Sequence, residues 1–116
     1  MAVPTVTFYQ RRPIVPSSNF AFGWITGLVN VTAYDNTHPA VTAITGKFKN
    51  TASPNGTLVV WANGVSSAGF AVGWDPVTTS FKAYGSNGAA PAALAEATNG
   101  VAVGTFQFWA FGQISA

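Results

Sequence analysis

The chain has 116 residues, 48% of them hydrophobic and only 7% charged, and its net charge is +2. A soluble domain ordinarily carries about 25% charged residues, so this composition argues against an enzyme and for a chain whose surface is covered inside an assembly. One domain of this length can bury a full core but two cannot. There is no cysteine for a disulfide or thiolate metal site, no run of about 18 apolar residues to span a membrane, and no cluster of basic residues beyond Arg11-Arg12 to hold nucleic acid.

Residues 1–18 read as an extended N-terminal arm. Pro4, Pro13 and Pro16 punctuate it, which argues against a central strand and allows one edge strand at residues 6–9. Met1-Ala-Val-Pro-Thr has neither the positive charge nor the apolar stretch of a secretory signal, so synthesis in the cytoplasm is expected. From residue 19 to 116 the chain reads as one β-sandwich domain. Thr, Val, Phe, Trp and Tyr dominate in short runs broken by Gly, Pro, Asn and Asp, the signature of strands and turns. Further strands are expected at 19–25, 28–34, 41–49, 57–62, 69–74, 80–84 and 101–111. Together with 6–9 these make eight short strands, so the expected class is all-β: an antiparallel, jelly-roll-like sandwich.

The turns have local causes. Asp75-Pro76 ahead of Val77-Thr78-Thr79 predicts a hairpin, with Pro setting φ at the first corner. Ser53-Pro54-Asn55-Gly56, Ser86-Asn87-Gly88 and Asn99-Gly100 predict three more turns. Residues 89–97 are Ala-rich and hold the only helix propensity in the chain. A short helix or an ordered loop fits them equally, since so few residues make a marginal helix.

Two patterns run along the strands. Phe20-Ala21-Phe22-Gly23-Trp24 returns fifty residues later as Phe70-Ala71-Val72-Gly73-Trp74, and Ala33-Tyr34 as Ala83-Tyr84. Either two equivalent hairpins or a narrow alphabet accounts for the echo. In the second copy Phe70, Val72 and Trp74 share one face, and Ala71 and Gly73 leave the other open to close approach by a facing sheet or another subunit.

Candidate chemistry is sparse, and no catalytic residue, metal ligand or cofactor is assigned. Asp35 and His38 could form an acid–base pair, but they sit in Tyr34-Asp35-Asn36-Thr37-His38-Pro39, a polar loop of turn formers. Two of Asp35, Asp75 and Glu96 would have to converge for paired-carboxylate chemistry. Gly69 and Gly73 lack the Lys-Ser/Thr continuation of a phosphate loop. Trp24, Trp61, Trp74 and Trp109 lie in apolar runs, which suits a core or a subunit interface. A sugar platform is the other use of such residues, and only Trp61, near Asn63, approaches one. The candidate partner-binding residues are Tyr9, Arg11 and Arg12 on the arm, with Lys47 and Lys49. The arginine pair could dock on an acidic neighbour or solvate an edge. The lysines alternate around Phe48, as edge-guarding residues do.

From Gly56-Thr57-Leu58-Val59-Val60, through Gly69-Phe70-Ala71-Val72-Gly73-Trp74-Asp75, Phe81-Lys82-Ala83-Tyr84 and Gly88-Ala89-Ala90-Pro91, to Phe108-Trp109-Ala110-Phe111-Gly112, the order of elements resembles small head proteins of tailed bacteriophages. The family is that of capsid decoration, or cement, proteins. The resemblance covers the C-terminal half and implies a small β-rich protein, trimeric in many members, that bridges major capsid protein subunits on the outside of the head. It implies no cofactor, nucleic acid or membrane, and carries over no individual residue. A lectin-like or receptor-binding β-sandwich on a capsid or fibre is the second expectation. A small hydrolase using Asp35 and His38 is the third.

Overall fold

Every second side chain of the two longest core strands is buried, and this alternation sets the layers. In a computed structural model, described over residues 4–16, 21–51, 56–86 and 94–114, the chain is an all-β sandwich of two antiparallel sheets. The described elements are β1 (Thr5–Pro16), β2 (Ala21–Val31), α1 (Thr42–Thr45), β3 (Val59–Ala62), β4 (Ala71–Asp75), β5 (Ser80–Ser86), β6 (Leu94–Glu96) and β7 (Gly104–Ile114). One sheet has the order β1-β2-β7-β3 and the other β4-β5-β6. Gly23, Ile25, Gly27, Val29 and Val31 of β2 turn inward, as do Phe106, Phe108, Ala110, Gly112 and Ile114 of β7. Across the gap Phe81 of β5 meets Phe106 edge-to-face at 4.9 Å, and within the second sheet Trp74 of β4 meets Phe81 edge-to-face as well. Phe70, Val72 and Trp74 pack on the core as their alternation predicts. The small face they leave, with Gly73, is turned to solvent rather than to the facing sheet.

Three expectations are corrected. The strand expected at 41–49 is the single turn α1 and its continuation, with bonds from Gly46 N to Thr42 O and from Lys47 N to Ile44 O. Val41, Ile44 and Phe48 are its buried residues, and their i, i+3, i+7 spacing is helical. The end of the Ala-rich segment is neither helix nor loop. Residues 94–96 form β6, because pairing with Tyr84, Gly85 and Ser86 outweighs the helix preference of alanine; residues 89–93 lie outside the described residues. The strands expected at 19–25 and 28–34 are one strand, β2. That also separates the two echoed segments. Ala21 to Trp24 of the first copy lie in one continuous strand and Ala33-Tyr34 follow its end, while Phe20 is outside the described residues. The second is strand, turn, strand.

The edge strand expected at 6–9 is β1, 12 residues long. It pairs with β2 throughout, with register shifts between Phe8 and Gln10 and between Pro13 and Val15. Bulges of this kind let an edge strand carry prolines without losing its ladder. The Asp75 hairpin is as expected: Val77 N donates to Asp75 Oδ1 at 2.9 Å, and Thr79 takes φ 52°. Gly100 turns at φ 87°. Ser53-Pro54-Asn55 and Asn87-Gly88 lie outside the described residues.

Gly27 explains why β2 does not break. A Cβ there would lie 1.8 Å from the Thr7 carbonyl oxygen and 3.0 Å from the Phe108 ring. The missing side chain lets β1 close on β2. It also lets Phe8 and Phe108, paired with Gly27 from either side, meet over it at 6.0 Å. Gly27→Ala is therefore expected to cost about 2 kcal/mol or more through forced backbone displacement. Urea denaturation of the variant against the parent chain measures this, and equal midpoints would refute it.

Candidate functional site: an exposed aromatic sheet face

The residues that alternate with the core on β2, β7 and β3 point away from the second sheet. On β2 these are Phe22, Trp24, Thr26, Leu28 and Asn30. On β7 they are Thr105, Gln107, Trp109 and Phe111, and on β3 Val59 and Trp61. The register places Trp61 opposite Trp109, Trp109 opposite Thr26, and Phe111 between Val59 and Trp24. Five rings form a ladder across the three strands. Phe22 stacks on Phe111 at 5.7 Å with the planes 10° apart, Trp24 lies 6.2 Å from Trp109, and Trp109 lies 4.9 Å from Trp61. Trp61, Val59 and Trp109 remain 49%, 44% and 43% exposed, so the ladder is a surface and not a second core. Thr26, Asn63 and Gln107 border a shallow groove beside Trp61 and Trp109. None of these side chains is charged, so the face offers dispersion, aromatic stacking and neutral hydrogen bonds.

The four tryptophans thus divide. Trp74 packs on the core, and the other three line the outer face. Local sequence could not separate them, because each sits in a similar apolar run.

The candidate partner residues fall in two places. Tyr9 is at the first register shift of β1, while Arg11 pairs with Ile25 and Arg12 with Trp24. They lie on the edge strand that flanks the aromatic ladder. Lys47 and Lys49 do not alternate along a strand, because α1 and the turn after it replace that strand. Lys47 places its Nζ 5.3 Å from the centre of the Phe8 ring, a cation–π contact. Lys49 forms an isolated bridge with Gln113, donating its backbone N–H at 2.7 Å.

A polar knot that the sequence did not reveal ties the sheets together. The buried Tyr34 donates its hydroxyl to Glu96 Oε2 at 2.6 Å and accepts the Ala83 N–H at 3.3 Å. His38, held at φ 58°, places Nε2 on the same Glu96 oxygen. Asp35 and His38 do not pair with each other, in keeping with their reading as a polar loop of turn formers. Asp35 Oδ1 is instead taken by the Thr37 N–H at 3.0 Å and hydroxyl at 2.7 Å, which hold its carboxyl below the usual range. Burial and the bond to Glu96 push the Tyr34 hydroxyl well above its ordinary value. Burial pushes Glu96 up, but hydrogen bonds from Tyr34 and His38 and the His38 charge outweigh it, leaving the carboxyl below normal. Asp75 pairs with Lys82 at 2.8 Å, and that bond with the Val77 N–H draws it down to about 2. Glu96 lies 58 residues from His38 and 62 from Tyr34, so no local motif could have found the group.

No protein-family model, curated protein or solved structure matches this chain.

The Glu96 knot has a pH signature. A carboxyl lowered on folding contributes stability above its unfolded value, and that contribution is lost as pH falls through the folded value. Glu96→Gln is therefore expected to cost about 1 kcal/mol near neutrality, with the gap narrowing as pH falls below the ordinary glutamate range. Thermal melts of both proteins across that range test this. A gap that stayed constant down to acid unfolding would count against an ionised Glu96 in the knot.

Proposed function

We propose that this chain is a structural virion protein: a capsid decoration, or cement, protein on the outside of a tailed-phage head. In this reading it is made in the host cytoplasm, associates with copies of itself as a trimer, and bridges major capsid protein subunits. The observation that carries the reading is the outward aromatic ladder of Phe22, Trp24, Trp61, Trp109 and Phe111 on a chain with only 7% charged residues. Such a face is costly to leave in water, since burial is worth about 25 cal/mol per Å² of apolar area before association costs. An assembly that repeats the contact by symmetry multiplies weak binding into firm attachment. The resemblance in the order of elements over the C-terminal half points to the same job. Arg11 and Arg12 lie on the edge strand beside the ladder, and in this reading the basic pair docks on an acidic neighbour.

A second reading is a lectin-like or receptor-binding module. The observation favouring it is the neutral groove where Thr26, Asn63 and Gln107 border Trp61 and Trp109. Aromatic faces stack on the apolar side of a sugar ring, and amides bond its hydroxyls.

Cosedimentation with expanded tailed-phage heads distinguishes the two. The cement reading expects saturable binding and heads that rupture at a higher temperature once decorated. No binding to expanded heads, together with binding to neutral glycans on an array, would replace it with the second reading.

A further inference from the structure

We propose that a groove on the outer face of β4 and β5 binds a neutral saccharide, with the Tyr84 ring as its stacking surface and the Asp75–Lys82 pair as its hydroxyl-binding group. The inference goes beyond the proposed function and does not rest on it, because the groove lies across the sandwich from the aromatic ladder.

The alternation along β4 places the groove. Phe70, Val72 and Trp74 pack on the core, so Ala71, Gly73 and Asp75 share the outward side. Pairing sets Gly73 opposite Lys82 and Ala71 opposite Tyr84. Residues directly opposite in an antiparallel pair share a face, so Lys82 and Tyr84 flank the gap at Gly73. A Cβ there would meet nothing within 4 Å. Unlike Gly27, this glycine is not required by the approach of a neighbouring strand, and the space above it is free for a ligand. Gly73, Trp74, Asp75, Pro76, Lys82 and Tyr84 line a shallow groove of about 270 Å³. That is just below the range of about 300 to 1,000 Å³ for drug-sized ligands, so it suits a few sugar units at most.

Three properties of the lining select the ligand. Tyr84 is 37% exposed, and the negative face of its ring attracts the C–H side of a sugar ring. Lys82 Nζ and Asp75 Oδ2, 2.8 Å apart, hold a donor beside an acceptor. Asp75 also accepts the Val77 N–H, but an ammonium has three donors and a carboxylate about four acceptor sites, so both keep capacity for further bonds. Neighbouring hydroxyls of a pyranose, one accepting and one donating, match that pair through charge-assisted bonds, the stronger kind. The two charges offset each other, so the groove favours neither an anion nor a cation. An uncharged ring with one apolar side and hydroxyls at its rim is the chemistry that uses all three properties. The Trp61–Trp109 groove on the other sheet has no charged group in its lining and offers a sugar hydroxyl only neutral partners.

The test begins with the full chain on an array of neutral glycans, followed by titration calorimetry with the glycan that binds most strongly. Gly73→Val fills the groove. Valine suits a strand and its Cβ has open space, so circular dichroism and melting temperature should match the parent. Tyr84→Ala removes the stacking ring. The expected result is binding of at least one array glycan by the parent chain, weakened about tenfold or more in each variant. A parent chain that binds no array glycan overturns the inference. So does full affinity in the folded Gly73→Val protein. Affinity lost in Trp61→Gln and kept in Gly73→Val places the sugar on the ladder face, and overturns the inference as well. Cosedimentation with expanded tailed-phage heads is run on the same proteins. A parent chain that binds heads and no glycan removes the inference and leaves the proposed function standing. Glycan binding abolished by Gly73→Val, in a chain that never binds heads, does the reverse.

Discussion

The pairing of β2 with β7 runs from Ala21 opposite Ile114 to Val31 opposite Gly104 without a register shift. Both faces of the larger sheet depend on that one register. Side chains alternate along each strand, so a slip of β7 by one residue against β2 would carry Phe106, Phe108 and Ala110 to the surface and bring Gln107, Trp109 and Phe111 inside. The core and the aromatic ladder are therefore two consequences of the same backbone hydrogen bonds. β1 and β3 extend the register on either side. Gly27 permits the first of these approaches, because any side chain there would occupy the space of the Thr7 carbonyl.

The two sheets are held in different ways. The edge-to-face contact of Phe81 with Phe106 runs between them, and Trp74 packs on Phe81 from the neighbouring strand of the second sheet. At one side, Tyr34 reaches from the end of β2 to Ala83 of β5 and Glu96 of β6. β6 is only three residues long and lies at a sheet edge. The Glu96 contacts and the bond from Ala97 N to Ala83 O tie that edge to the rest of the sandwich. The three carboxylates are held in internal bonds: Glu96 with Tyr34 and His38, Asp75 with Lys82, and Asp35 with Thr37. The uncharged outer face is left as the surface best suited to meeting another molecule, and the proposed role in an assembly draws on this division.

Much of the strand content was legible, because alternation and turn chemistry are local. Phe70, Val72 and Trp74 pack on one side as their spacing requires, and Asp75-Pro76 turns the chain as its residue types require. The failures came where a short pattern admits two periods or where a distant partner intervenes. Val41, Ile44 and Phe48 carry a helical spacing inside a run rich in β-formers. Leu94-Ala95-Glu96 has helix propensity, but the exposed edge of β5 recruits it as a strand. Gly27 resembles a strand break until β1 is laid against it.

The sequence by itself determined the all-β class, the near absence of charge, the local turns, and which residues share a side within each strand. Those properties follow from side-chain type and from the two-residue repeat of extended backbone. Only the tertiary structure decided which side of each strand is inside, which tryptophan packs on the core, and that Glu96 meets His38 and Tyr34. The reason is that burial depends on what lies across the sheet and across the sandwich. Those neighbours are brought together by pairing between segments as far apart as β2 and β7, over distances along the chain that no local pattern encodes.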